Sequence, residues 1–88
     1  TKTLSITRRN GMKQDVIHAA EAWVWDKTHT EGFQLHDDWY NFIHEGVDYD
    51  INIFTDFHTG KVGATIYPLR KWEGRGLMTD TLKGVRIL

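Results

Sequence analysis

Asp50, Asp56, His58 and Lys61 fall within one short stretch, DYDINIFTDFHTGK, residues 48–61 of an 88-residue chain. Two carboxylates, an imidazole and an amine near a hairpin tip could hold a divalent ion and cleave phosphodiesters. A metal-dependent nuclease built on Asp50, Asp56 and His58 is therefore one reading. A hairpin tip is exposed, however, and acid–base chemistry favours a cleft that shifts pKa values. The sequence holds no G-x-S-x-G, no H-E-x-x-H, no phosphate-cradling glycine loop and no cysteine nucleophile. The balance is against an enzyme, and no catalytic residue is assigned.

Metal chemistry meets similar objections. D-x-D-x-N at 48–52 opens like a calcium loop, but that loop needs glycine at its sixth place and glutamate at its twelfth. Ile53 and Thr59 stand there. Of the five histidines, His18 and His29 share the helical region but are eleven residues apart, not four. His36-Asp37-Asp38 offers an imidazole beside carboxylates without a second spaced pair. No metal site or cofactor is expected from these spacings.

The same stretch also reads as a strand. Tyr49, Ile51, Ile53 and Phe57 alternate onto one face, and Asp48, Asp50, Asn52, Phe54, Asp56 and His58 onto the other. The bland reading of the second set is a solvated face, neutralised in part by Lys61 or by the basic C-terminal strand. The sharper reading is a docking surface for a protein partner with a basic surface. Asp48, Asp50, Asn52, Phe54, Asp56 and Tyr67 would make it, with Trp25 as a further contact and the exposed aromatics as anchors.

Charge is segregated along the chain although the net is only −1: +4 over residues 1–14, −9 over 15–60 and +4 over 61–88. The basic ends give the alternative reading, a nucleic-acid-binding domain. It would use Arg8, Arg9, Arg70, Lys71, Trp72 and Arg75, with guanidinium and ammonium groups on phosphates and an indole against bases. The sequence pI of about 6.5 argues against a dedicated nucleic-acid binder.

Those residues need elements to hold them. TLSIT, residues 3–7, alternates as a first strand. From Met12 to Thr28 the apolar positions Val16, Ile17, Ala20, Trp23 and Val24 take helical spacing, with Asn10 as N-cap and Gly32 as the residue after the helix. Trp25 lies on a second stripe, either tucked under a loop or presented to a partner. FQLH, residues 33–36, is a candidate short strand. WYNFIH, residues 39–44, is rich in β-prone types, and EGVD follows as a turn. Residues 49–57 and 61–68 flank a Thr59-Gly60 turn, pairing Phe57 with Val62 and Ile53 with Ile66. Pro68 ends that strand, the three-glycine segment 69–84 reads as a loop, and GVRIL is a last strand.

The expected fold is α+β: one amphipathic helix on one face of an antiparallel sheet of three to five strands, in the order β-α-β-β-β-loop-β. One compact domain, residues 1–88, suits the length. No apolar run reaches the ~18 residues of a membrane span, no secretion leader is visible, and the absence of cysteine fits a reducing, cytoplasmic setting. Small size, dense aromatics and split charge together suggest a non-enzymatic interaction protein, an inhibitor or regulator of the kind phages and other mobile elements encode. A homo-oligomer is left open and a membrane partner is not expected.

Overall fold

A computed structural model describes residues 12–74 and 76–88, with the backbone alone at Trp72. The expected strand at 3–7, the expected cap Asn10, and Arg8, Arg9 and Arg75 lie outside the described residues. What is described is one helix against an antiparallel five-stranded sheet, the expected α+β arrangement.

The helix α1 spans Gln14–Thr28, and Lys13 stands at its N-cap position with no side-chain cap. Its other end is closed by short polar side chains that satisfy the last carbonyls. Thr28 Oγ1 donates to the Val24 carbonyl at 2.9 Å, His29 Nδ1 to the Trp25 carbonyl at 2.7 Å, and Thr30 Oγ1 to the Asp26 carbonyl at 2.7 Å. His29, not a residue beside Gly32, is thus the C-cap. Gly32 (φ +87°) instead turns the chain so that Phe33 returns to the core. Residues 33–37 form no strand.

Strand β1 (Asp38–His44) pairs with β2 (Val47–Asp56) through a tight turn at Glu45 and Gly46. Both turn residues have positive φ, 50° and 80°, as a right-twisted two-residue hairpin requires. Glutamate in this left-handed region costs about 1–2 kcal/mol that glycine would not.

Strand β3 (Lys61–Trp72) pairs with β2 in a register two residues from the expected one: Thr55 faces Val62, Ile53 faces Ala64 and Ile51 faces Ile66. Asp56 causes the difference. Its carbonyl accepts the N–H groups of Thr59 and Gly60 at 3.2 and 2.7 Å, and its carboxylate accepts that of His58 at 2.9 Å. That closes a four-residue loop over 57–60. A two-residue Thr59-Gly60 turn would have put β-branched Thr59 at positive φ. A slip of two keeps each side chain on its face, so the core is unchanged. Phe57, expected on the core face, sits in the loop at 95% exposure.

Pro68 does not end β3. It forms the last pair of the β2–β3 ladder, opposite Tyr49, where its missing N–H is tolerated. Beyond it β3 changes partner. Leu69–Trp72 pair with β4 (Gly76–Thr79), so the segment read as a loop is a hairpin, with Gly74 and Gly76 at positive φ in its bend. A 3₁₀ turn at Thr81–Lys83, capped by Asp80, bulges outward. The chain then returns along β3 as β5 (Val85–Arg86), the expected last strand.

Alternation on β2 and β3 buries Ile51, Ile53, Ala64 and Ile66 beneath Val16, Ile17, Ala20 and Val24 of α1. Each fully buried isoleucine contributes about 1.5–3 kcal/mol. Trp23 is half-buried and packs on Tyr40 and Phe42 of β1, ring centroids 5.6 and 6.0 Å apart. Lys27 lies 4.7 Å over the Tyr40 ring.

Candidate functional site

The carboxylates of β2 point away from α1, onto the open face of the sheet. There Trp39, Asn41 and Ile43 of β1 pair with Asn52, Asp50 and Asp48 of β2, and Tyr67 and Thr65 of β3 stand opposite Asp50 and Asn52 on its other side. The Trp39 and Tyr67 rings meet over β2, centroids 5.4 Å apart, and Trp39 stays 53% exposed. A groove of about 590 Å³ runs beside them, lined by Asn52, Phe54, Asp56, Thr65, Tyr67 and Arg86.

Two glycines make room for its floor. A Cβ on Gly63 would come within 2.8 Å of the Phe54 ring and 2.7 Å of the Arg86 guanidinium. Phe54 is paired directly across from Gly63 and covers the strand that glycine leaves bare. A Cβ on Gly84 would come within 2.7 Å of the Tyr67 ring. Small residues on β3 and in the turn before β5 thus seat the aromatic rings flat against the sheet.

The acidic side chains are held in different ways. Asp56 takes the Arg86 guanidinium at 2.8 Å, and Arg86 also lies 5.0 Å over the Phe54 ring and donates to the Leu88 carbonyl. The Arg86 hydrogen bond, helped by the His58 N–H, holds the Asp56 carboxyl below its ordinary 3.8. The basic C-terminal segment therefore does neutralise part of this face, through a residue 30 positions away in sequence. The other carboxylates meet neutral donors. Asn41 Nδ2 donates to Asp48 at 3.3 Å, Thr79 Oγ1 donates to Asp50, and Asn52 Nδ2 donates to Asp37 at 2.8 Å. Neutral donors fix a carboxylate's direction without cancelling its charge.

Of the sequence-derived contacts, Asp48, Asp50, Asn52, Phe54, Asp56 and Tyr67 share this face. Trp25 does not join them. It sits on α1, 58% exposed, stacked on His29 at 3.9 Å, so it is neither under a loop nor near the open face. Residues missed by sequence reasoning are Trp39, Asp37, Thr79 and Arg86. Trp39 was legible as the open-face member of an alternating strand. The other three reach the face through pairings that no local pattern announces.

The nuclease constellation is not assembled. Asp50 and Asp56 stand six residues apart on one extended strand, about 20 Å, too far to share one ion. D-x-D-x-N lies within that strand, not in a loop, which removes the calcium geometry. For nucleic acid, Arg70 and Lys71 are consecutive residues of β3 and so point to opposite faces of its hairpin. Among the described residues, three metal-capable ligand atoms come together in one place, Asp15, His44 and Glu45, at the other end of the β1–β2 hairpin from Asp56. No described helix is long and apolar enough to cross a membrane. No protein-family model, curated protein or solved structure matches the chain, so the chemistry of this face carries the functional reading.

Proposed function

We propose that the chain is a small non-enzymatic interaction protein that binds a protein partner with a basic surface through the open face of its sheet, as an inhibitor or regulator does. One observation carries this reading. A seated aromatic pair, exposed Trp39 over half-buried Tyr67, stands among Asp37, Asp48 and Asp50, whose side chains are oriented by neutral donors. Aromatic anchors supply desolvation energy at an interface, and the surrounding charge sets association rate and choice of partner. A lysine- or arginine-rich surface complements both, through cation–π and carboxylate contacts.

The test is co-purification from the native host, identification of the captured protein, and titration of that protein in pure form. Asp50→Ala combined with Tyr67→Ala is expected to weaken binding at least tenfold, and Trp25→Ala to leave it unchanged. Equal affinity for the double variant and the parent would overturn the reading.

A further inference from the structure

The first turn of α1 meets the end of the β1–β2 hairpin at a second concavity, of about 380 Å³. Asp15 enters it from the helix, His44 from the last position of β1, and Glu45 from the tight turn. Each can offer one ligand atom such that the three lie within 4.8 Å of one another. Met12, just before α1, and Val16, in its first turn, are buried in the core and hold the start of the helix against the sheet, and Tyr49 lines the same concavity. Among the described residues, none of the three side chains is hydrogen-bonded or ion-paired to a neighbour, and His44 stacks on Phe42 at 6.4 Å.

One imidazole nitrogen with two carboxylate oxygens is a donor set for a borderline divalent ion. Zinc bound at about 2.0–2.2 Å to each ligand would place those atoms about 3.3–3.6 Å apart. The remaining closure, about 1 Å, is within the reach of side-chain rotation at two exposed carboxylates. We propose that Asp15, His44 and Glu45 form a mononuclear zinc site, with water completing the coordination from the concavity.

The electrostatics agree with that geometry. Burial raises the Tyr49 hydroxyl pKa, and the carboxylates of Asp15 and Glu45 raise it further, so both carboxylates act on one spot, with Lys13 also lining the concavity. Glu45 holds its place at positive φ, in a turn position that suits asparagine or glycine better. A bound cation would offset the convergence and tie α1 to the hairpin, adding to stability by mass action. The sequence could not show this site, because the helix ligand Asp15 lies 29 positions before the adjacent His44-Glu45 pair.

Calorimetric titration of the metal-free chain with zinc chloride tests the proposal, alongside thermal unfolding with and without zinc. One ion per chain is expected, with a zinc-dependent rise in Tm. Glu45→Gln, Asp15→Asn and His44→Ala should each weaken binding at least tenfold, while His58→Ala, in the exposed loop, should not. His44 is half-buried, so Glu45→Gln, at an exposed turn, decides the matter if His44→Ala fails to fold. No binding at millimolar zinc, binding that survives Glu45→Gln and Asp15→Asn, or binding lost in His58→Ala would each overturn it.

Discussion

The two faces of this sheet are built from the same strands and obey different rules. On the covered face Ile51, Ile53, Ala64 and Ile66 are fully buried, and any apolar side chain of similar volume at those positions would serve nearly as well. On the open face each position is tied to a particular partner: Asp56 to Arg86, Asp50 to Thr79, Asn52 to Asp37, Phe54 to Gly63 and Tyr67 to Gly84. The covered face supplies most of the folding energy. The open face is organised in detail through side chains that are only partly buried, so less of its area is removed from water.

The sharpest break between the faces is a core truncation. Ile51→Ala is expected to cost about 2–5 kcal/mol in denaturant unfolding, because it leaves a cavity between α1 and β2. A loss under 1 kcal/mol would mean that the covered face is not the energetic centre. Gly84→Ala is the next largest and acts on the other face. Its methyl group would collide with the Tyr67 ring, costing about 1–3 kcal/mol and unseating the Tyr67–Trp39 pair while the core stays intact. Near-ultraviolet circular dichroism reads the second effect separately from stability. An unchanged aromatic spectrum would show that Gly84 does not seat the ring.

Arg86→Ala should cost less than either of these, and its cost should be present at neutral pH and fade in acid. The Asp56 carboxyl is held below its ordinary value in the folded state, so its contribution is present above about pH 4 and lost as pH falls through the folded pKa. Removing Arg86 should raise the Asp56 midpoint in a carboxyl NMR titration and remove that part of the acid sensitivity. An unmoved midpoint would assign the shift to the loop N–H groups alone. The smallest effect belongs to Trp25→Ala. An exposed helix position stacked only on His29 should change stability by no more than about 0.5 kcal/mol in thermal unfolding. A larger loss would make the helix's outer stripe structural.

The same contrast explains what the sequence made legible. Two-residue alternation in Tyr49–Phe54 and the helical spacing of Val16, Ile17, Ala20 and Val24 placed the covered face correctly, since burial periodicity is local. The turn at Glu45-Gly46 was also readable. The β2–β3 register was not, because the Asp56 side chain and carbonyl decided the loop length while apolar spacing is blind to a slip of two. The β3–β4 hairpin was hidden by its glycines, which served as bend residues in a turn and not as signs of a loop. The shared face of Asp48, Asp50, Asn52, Phe54, Asp56 and Tyr67 followed from alternation, but Arg86, Thr79 and Asp37 came from distant segments. Asp15 likewise meets His44 and Glu45 only through the packing of α1 on the sheet.

Amide NMR of the labelled chain, titrated with a short lysine- and tryptophan-containing peptide, an acidic peptide of equal length and a single-stranded oligonucleotide, tests the docking face most directly. Salt-sensitive shifts from the basic peptide at Asp48, Asp50, Asn52, Phe54 and Tyr67, with none from the acidic peptide, are the expected result. Shifts confined to α1, or shifts from the oligonucleotide centred on Arg70 and Lys71 with an unresponsive open face, would contradict the account.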